Sequence, residues 1–293
     1  MAIAKETLKG TLCVLVAGMC WGTTGTIQAF APEGASSLTV GSARVVFSGV
    51  VLILFMLAKE GRAFFSGGWN LRGVLLAGAG LAAYQLTFFT AVRMTGVAVG
   101  TMVAIGAAPP IAGICGRLLF GERLYARWFA ATALAVAGCV MLVLGGNSGA
   151  LEVSALGVFL AFCAALSYTF VGVGMRMIEK GAFETNAAVC ATSGLMALPW
   201  LLTGDASWML EPRGALCMAL LTFVSTVFPY TLFTIGVRKI KLGAAYTLGL
   251  AEPLTAWFLS TVLLGERLSL LGSAGVAVLF SGILLLALSK KNE

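Results

Sequence analysis

The sequence predicts an all-α membrane protein in which ten transmembrane helices form two inverted five-helix repeats, and three observations carry that expectation. The first is composition: of 293 residues, 59% are hydrophobic and 11% charged, against roughly 25% charged in an average soluble domain. A body of this size cannot hide so many apolar side chains from water, whereas a lipid solvent accommodates them. The second is ten apolar runs, each close to the ~20 residues that cross a hydrocarbon core about 30 Å thick. The third is self-similarity. Sliding the chain by 144 residues lays Gly121-Glu122-Arg123-Leu124 on Gly265-Glu266-Arg267-Leu268, Pro109 on Pro253, and Gly138 on Gly282.

The runs lie near residues 8 to 29, 38 to 58, 71 to 92, 97 to 120 and 126 to 145 in one half (1–148), and near 154 to 176, 185 to 203, 213 to 237, 243 to 264 and 269 to 289 in the other (149–293). Gly, Pro or clustered charge bounds each of them. The first follows Lys5 and Lys9 and ends before Pro32; it is too long for a signal-peptide core, and Pro32 would sit just past the Ala29-Phe30-Ala31 cleavage pattern. The third and fourth runs, like the eighth and ninth, are separated by a few residues and must be tight hairpins. A gap of one more residue extends the repeat to Phe88 on Phe233 and Val92-Arg93 on Val237-Arg238.

Ten spans put both termini on one side of the membrane, and charge says which. Of the 19 Lys and Arg residues, only Arg93, Arg213 and Arg267 fall on the side away from the termini, and only Arg44 is not assigned to a loop or the end of a run. The rest lie on the terminal side, so the positive-inside rule predicts cytoplasmic termini. One span more or fewer would mix the two groups. Because five is odd, the halves cross the bilayer in opposite senses, an arrangement that places a pathway near the midplane between them.

Composition also narrows the chemistry. Histidine is absent, which removes the commonest general base and zinc ligand. The sole Asp, Asp205, excludes a paired-aspartate protease, and the seven cysteines stand singly in apolar runs as packing residues. No Walker-type phosphate loop occurs, so ATP is not the energy source. Neither a metal, a cofactor, a nucleic acid nor an enzymatic role is expected, and a monomer of ten spans suffices to enclose a pathway.

Glu252 is the acid out of place, well inside the ninth run where the first half has Ala108. A charge at that depth must meet water, find a cation or stay protonated. It either binds substrate ammonium or a proton, or is a structural acid beside Pro253, which frees a carbonyl. Arg44 either pairs with Glu252 or a substrate carboxylate, or snorkels to the interface. Trp21, Tyr84, Gln85, Tyr168, Tyr230 and Tyr246 supply mid-helix polar and aromatic groups for a pocket. Pro109, Pro229 and Pro253 mark where helices bend. Gly18/Gly22 and Gly96/Gly100 have the spacing of close helix contacts, and the Gly-Glu-Arg-Leu charges read as local hairpin locks.

Trp21-Gly22, Arg44, Pro109, Gly121 to Leu124, Pro253 and Gly265 to Leu268 together resemble the EamA-type module of the drug/metabolite transporter superfamily, over essentially the whole chain. Overall likeness is nearest to bacterial aromatic and broad-range amino-acid exporters. The second half departs from the pattern: Tyr168-Thr169 replaces Trp-Gly, and no residue matches Arg44. The resemblance implies a multi-pass inner-membrane secondary transporter exporting small metabolites, foremost amino acids, by alternating access. A proton-coupled exporter of drugs and organic cations is the alternative.

Overall fold

A computed structural model describes residues 2–146, 154–263 and 269–288, and their regular structure is all helical. The first half contains α1 (Ala2–Ala29), α2 (Ser37–Glu60), α3 (Leu71–Gly106), α4 (Ala108–Phe120) and α5 (Ala126–Gly146). The second contains α6 (Ala155–Met177), α7 (Ala182–Thr203), α8 (Pro212–Thr222), α9 (Phe228–Val237), α10 (Leu242–Gly249), α11 (Ala251–Leu263) and α12 (Leu270–Ala287). Ser36, Asn70, Ser154 and Ser269 cap α2, α3, α6 and α12 by accepting a backbone N–H, which satisfies donors that the helix cannot.

Nine helical stretches among the described residues are long and apolar enough to cross a membrane. The run near 243 to 264, expected as one helix, is instead α10 and α11, of 8 and 13 residues, meeting at Leu250. Pro253 has no N–H to offer the Gly249 carbonyl, so the ladder fails there. The third and fourth runs form the tight hairpin expected of them, as the separate spans Leu71–Gly96 and Val99–Phe120. Gly96 takes φ 76 and ψ 162 inside α3, a conformation open to glycine without penalty, and folds the chain back so that Gly100 lies against Val92. Gly96 is therefore a turn, not a close helix contact. Gly18 and Gly22 do make one: a Cβ at Gly18 would lie 3.0 Å from the Gly249 carbonyl oxygen.

Connections gather at two ends. At one end Asn70 donates to Met177 O, Lys180 to Ser66 O and Arg238 to Lys180 O, and Lys239 pairs with Glu6. At the other, Arg213 donates to Phe30 O and Gln28 to Ser37. The packing is also regular under exchange of the halves. α2 packs on α7, α5 on α12 and α4 on α10, while α3 on α6 answers to α9 on α1, and α4 on α6 to α11 and α10 on α1.

Candidate functional site

The site forms where helices break at the centre of this packing. Pro109 cannot bond the Ile105 carbonyl, nor Pro253 that of Gly249. α4 accordingly starts at Ala108 and α11 at Ala251. The 144-residue shift that superposes the prolines superposes the breaks to within one residue. Pro229 follows a π-helical turn over Phe223–Val227. The Val227 carbonyl in that turn accepts from the Asn186 amide at 2.9 Å and the Thr231 hydroxyl at 2.8 Å, which keeps irregular backbone satisfied inside the membrane.

Around the breaks lies an aromatic cluster. Trp21 of α1 meets Tyr168 at 5.9 Å, Tyr230 at 5.1 Å and Phe233 at 5.2 Å between ring centroids. Tyr84 of α3 meets Tyr168 at 5.4 Å and stacks on Phe88 at 5.4 Å. Tyr246 of α10 closes the group against Tyr168 at 4.8 Å and Phe233 at 5.4 Å. Five of the six nominated polar and aromatic residues therefore share one cluster, and each half contributes.

Their polar atoms are placed unequally. Tyr246 donates to Tyr168 O at 2.5 Å and accepts from Gly172 N at 3.1 Å, so its hydroxyl ties α10 to α6. The Trp21 Nε1 is buried without a partner among the described residues. Gln85, beside Tyr84, turns its amide oxygen to Arg44 and accepts from Nε at 3.2 Å and Nη2 at 2.9 Å. The opposite amide orientation would set N–H against N–H. Arg44 is buried, 8% exposed, so it does not snorkel, and it bonds to Gln85 rather than to Glu252.

Glu252 is the second residue of α11 and half-buried, with no hydrogen-bond or ion-pair partner among the described residues. A carboxylate at the start of a half-helix has the favourable end of the helix dipole. Gly22, next to Trp21, packs on the Glu252 backbone, and Gln85, which holds Arg44, adjoins Tyr84, so both charges border the aromatic cluster. The arrangement can therefore take an anion at Arg44, a cation at Glu252 and an apolar ring among the aromatics.

Sequence reasoning missed Phe233, fully buried between Trp21 and Tyr246, although the repeat itself aligns it with Phe88, which stacks on Tyr84. Asn186 was missed too, since nothing local marks a lone Asn as the support of a distant π-turn. Glu122, expected to lock a local hairpin, reaches the other half instead. It pairs with Arg176 and accepts from Leu242 N at 2.9 and 3.1 Å. Gly265 to Leu268 lie outside the described residues.

Membrane-length helices broken at matching places around a polar-aromatic site define a multi-pass membrane transporter. The EamA-like transporter family model matches twice, over residues 8–144 and 155–288. The chain belongs to that family. It is 37% identical to the uncharacterized transporter YwfM of Bacillus subtilis, over 97% of this chain and 95% of that one. It is 25% identical to the uncharacterized inner membrane transporter YicL of Salmonella typhimurium, over 98% of both. A solved crystal structure at 19% identity superposes with a TM-score of 0.80 over 94% of this chain and 95% of its own, a likeness of fold alone.

Proposed function

We propose that the protein is a secondary transporter that exports amino acids, aromatic ones included, by alternating access between two inverted halves of five spans each, 1–148 and 149–293. The observation that carries the substrate class is the joint placement of Arg44, a Glu252 without hydrogen-bond or ion-pair partner among the described residues, and the aromatic cluster of Trp21, Tyr84 and Tyr168. Carboxylate, ammonium and side chain of a zwitterion each find a matching group, with the charged contacts the stronger. Few such anchors suit a broad exporter of modest affinity, and a multiply charged phosphate would want more buried cations.

Ten inverted spans are supported by the exchange symmetry of the packing and by the family's two separate matches. α10 and α11, residues 242–263, supply the remaining span as two half-helices, the form that transporters use at a midplane site. The protein works as a monomer in lipid, in a bacterial inner membrane, with both termini cytoplasmic and no ATP.

Counterflow of labelled amino acids in proteoliposomes, with an unlabelled competitor panel and with or without a pH gradient, tests the reading. Saturable exchange of several amino acids is expected. Movement of organic cations without any amino acid would replace the substrate class with drug export centred on Glu252.

A further inference from the structure

One carboxylate joins the two halves at the end of the molecule that bears the termini. Gly121 ends α4 in the left-handed conformation, φ 66 and ψ 22, and Glu122 N bonds back to Gly116 O at 3.1 Å. Any side chain at Gly121 would be strained there. This turn sends the Glu122 side chain inward, where the residue is only 8% exposed. Both its oxygens accept from Leu242 N, the first amide of α10, at 2.9 and 3.1 Å. Its ion-pair partner Arg176, near the end of α6, lies 4.6 Å over the Phe120 ring. Lys241, the residue preceding α10, provides no side-chain cap, so Glu122 supplies it.

Glu122 belongs to the first half, and both groups it holds belong to the second. Just before α10, Lys241 lies 4.0 Å over the Tyr125 ring of the first half, while within α10 uncharged contacts also join the halves. A Cβ at Gly243 would lie 2.9 Å from both Gly113 Cα and the Trp128 ring, and Thr132 and Thr247 share one hydroxyl bond of 2.8 Å. α10 in turn carries Tyr246, one wall of the aromatic cluster.

We propose that Glu122 is a positioning residue for transport: a latch that holds α10 against α4, closes the pathway at the terminal end, and lets go when the carrier turns to that side. This rests on the alternating-access reading above. Water entering the opened mouth would solvate Glu122, Arg176 and the α10 amides, so release leaves no charge stranded in apolar surroundings.

Hydrogen exchange of the purified protein in nanodiscs, followed in a peptide covering 241–248, reads the latch directly. Glu122→Gln should speed exchange there about tenfold, as loss of a charge-assisted cap permits, and leave peptides of α2 and α7 unchanged. Arg176→Gln, which keeps the cap and loses the ion pair, should give a smaller rise at the same peptide. Glu122→Asp should restore part of the protection. In phenylalanine counterflow, Glu122→Gln should change the maximal rate and leave KM within about twofold. Exchange at 241–248 within twofold of wild type in both Glu122→Gln and Arg176→Gln would overturn the latch. So would a rise spread evenly over all helices. A wild-type protein that carries no phenylalanine but shows the local rise removes the amino-acid reading and keeps the latch.

Discussion

Arg44 has five N–H donors, and Gln85 engages Nε and one N–H of Nη2, which leaves three for an incoming carboxylate. Glu252 has no such protein partner among the described residues, so its affinity is available to a cation. Substitution should therefore separate substrates by the charge they carry. Arg44→Lys offers a point charge where a planar fork held both Gln85 and ligand. It should raise KM for amino acids about tenfold or more, the worth of a charge-assisted hydrogen bond, and leave amines that lack a carboxylate nearly unchanged. Glu252→Gln should raise KM for both classes. Competition assays with phenylalanine and phenylethylamine decide it, and equal effects of Arg44→Lys on the two would disprove carboxylate binding at Arg44. The depth of Glu252 was legible in the sequence because an apolar run surrounds it, whereas Arg44, near the start of its run, was left open between a buried partner and the interface. The Arg44–Gln85 pair was not legible, since it depends on how α2 rotates against α3, which no local pattern encodes.

Between α5 and α12 the contact is a seam of small residues. A Cβ at Gly138 would meet the backbone of Leu279, one at Gly145 that of Gly272, one at Gly275 that of Leu142, and one at Gly282 that of Ala135. Lipid provides no hydrophobic drive to bring helices together, so close backbone approach and its dispersion contacts hold this pair. Gly138→Leu should force the helices apart and destabilise by about 1–3 kcal/mol or more, read as a lower Tm in detergent. Leu134→Ala, at a partly exposed position on the same helix, should change Tm little; a Gly138→Leu protein as stable as wild type would refute the seam. Legibility at this scale follows locality. Apolar length revealed the spans, and proline chemistry revealed the breaks at Ala107 and Leu250. The Gly96/Gly100 spacing was legible only at Gly100, which packs on the Val92 backbone; Gly96 makes the turn instead, and only backbone geometry distinguishes the two uses of the pattern.

Across the whole molecule, the two ends of the bundle carry different charge. Arg176, Lys180, Arg238 and Lys239 meet, in turn, connection 121–125, connection 61–70, connection 178–181 and the start of α1 at one end, whereas Arg213 meets the end of α1 at the other. These contacts fix which loops share a side, independently of any rule about charge. The rule then predicts that the more basic end faces the cytoplasm, since Lys and Arg are retained there when a chain inserts. Ser66 and Ser207 are exposed and lie at opposite ends. In a background with the seven cysteines replaced, a membrane-impermeant maleimide applied to intact spheroplasts should label Ser207→Cys and leave Ser66→Cys untouched until the cells are lysed. The reverse labelling would invert the orientation, place the Glu122 latch on the outer face and turn the proposed export pathway around. Labelling of both from outside would break the side assignment itself, because α3 to α7 could not then cross the bilayer an odd number of times between them.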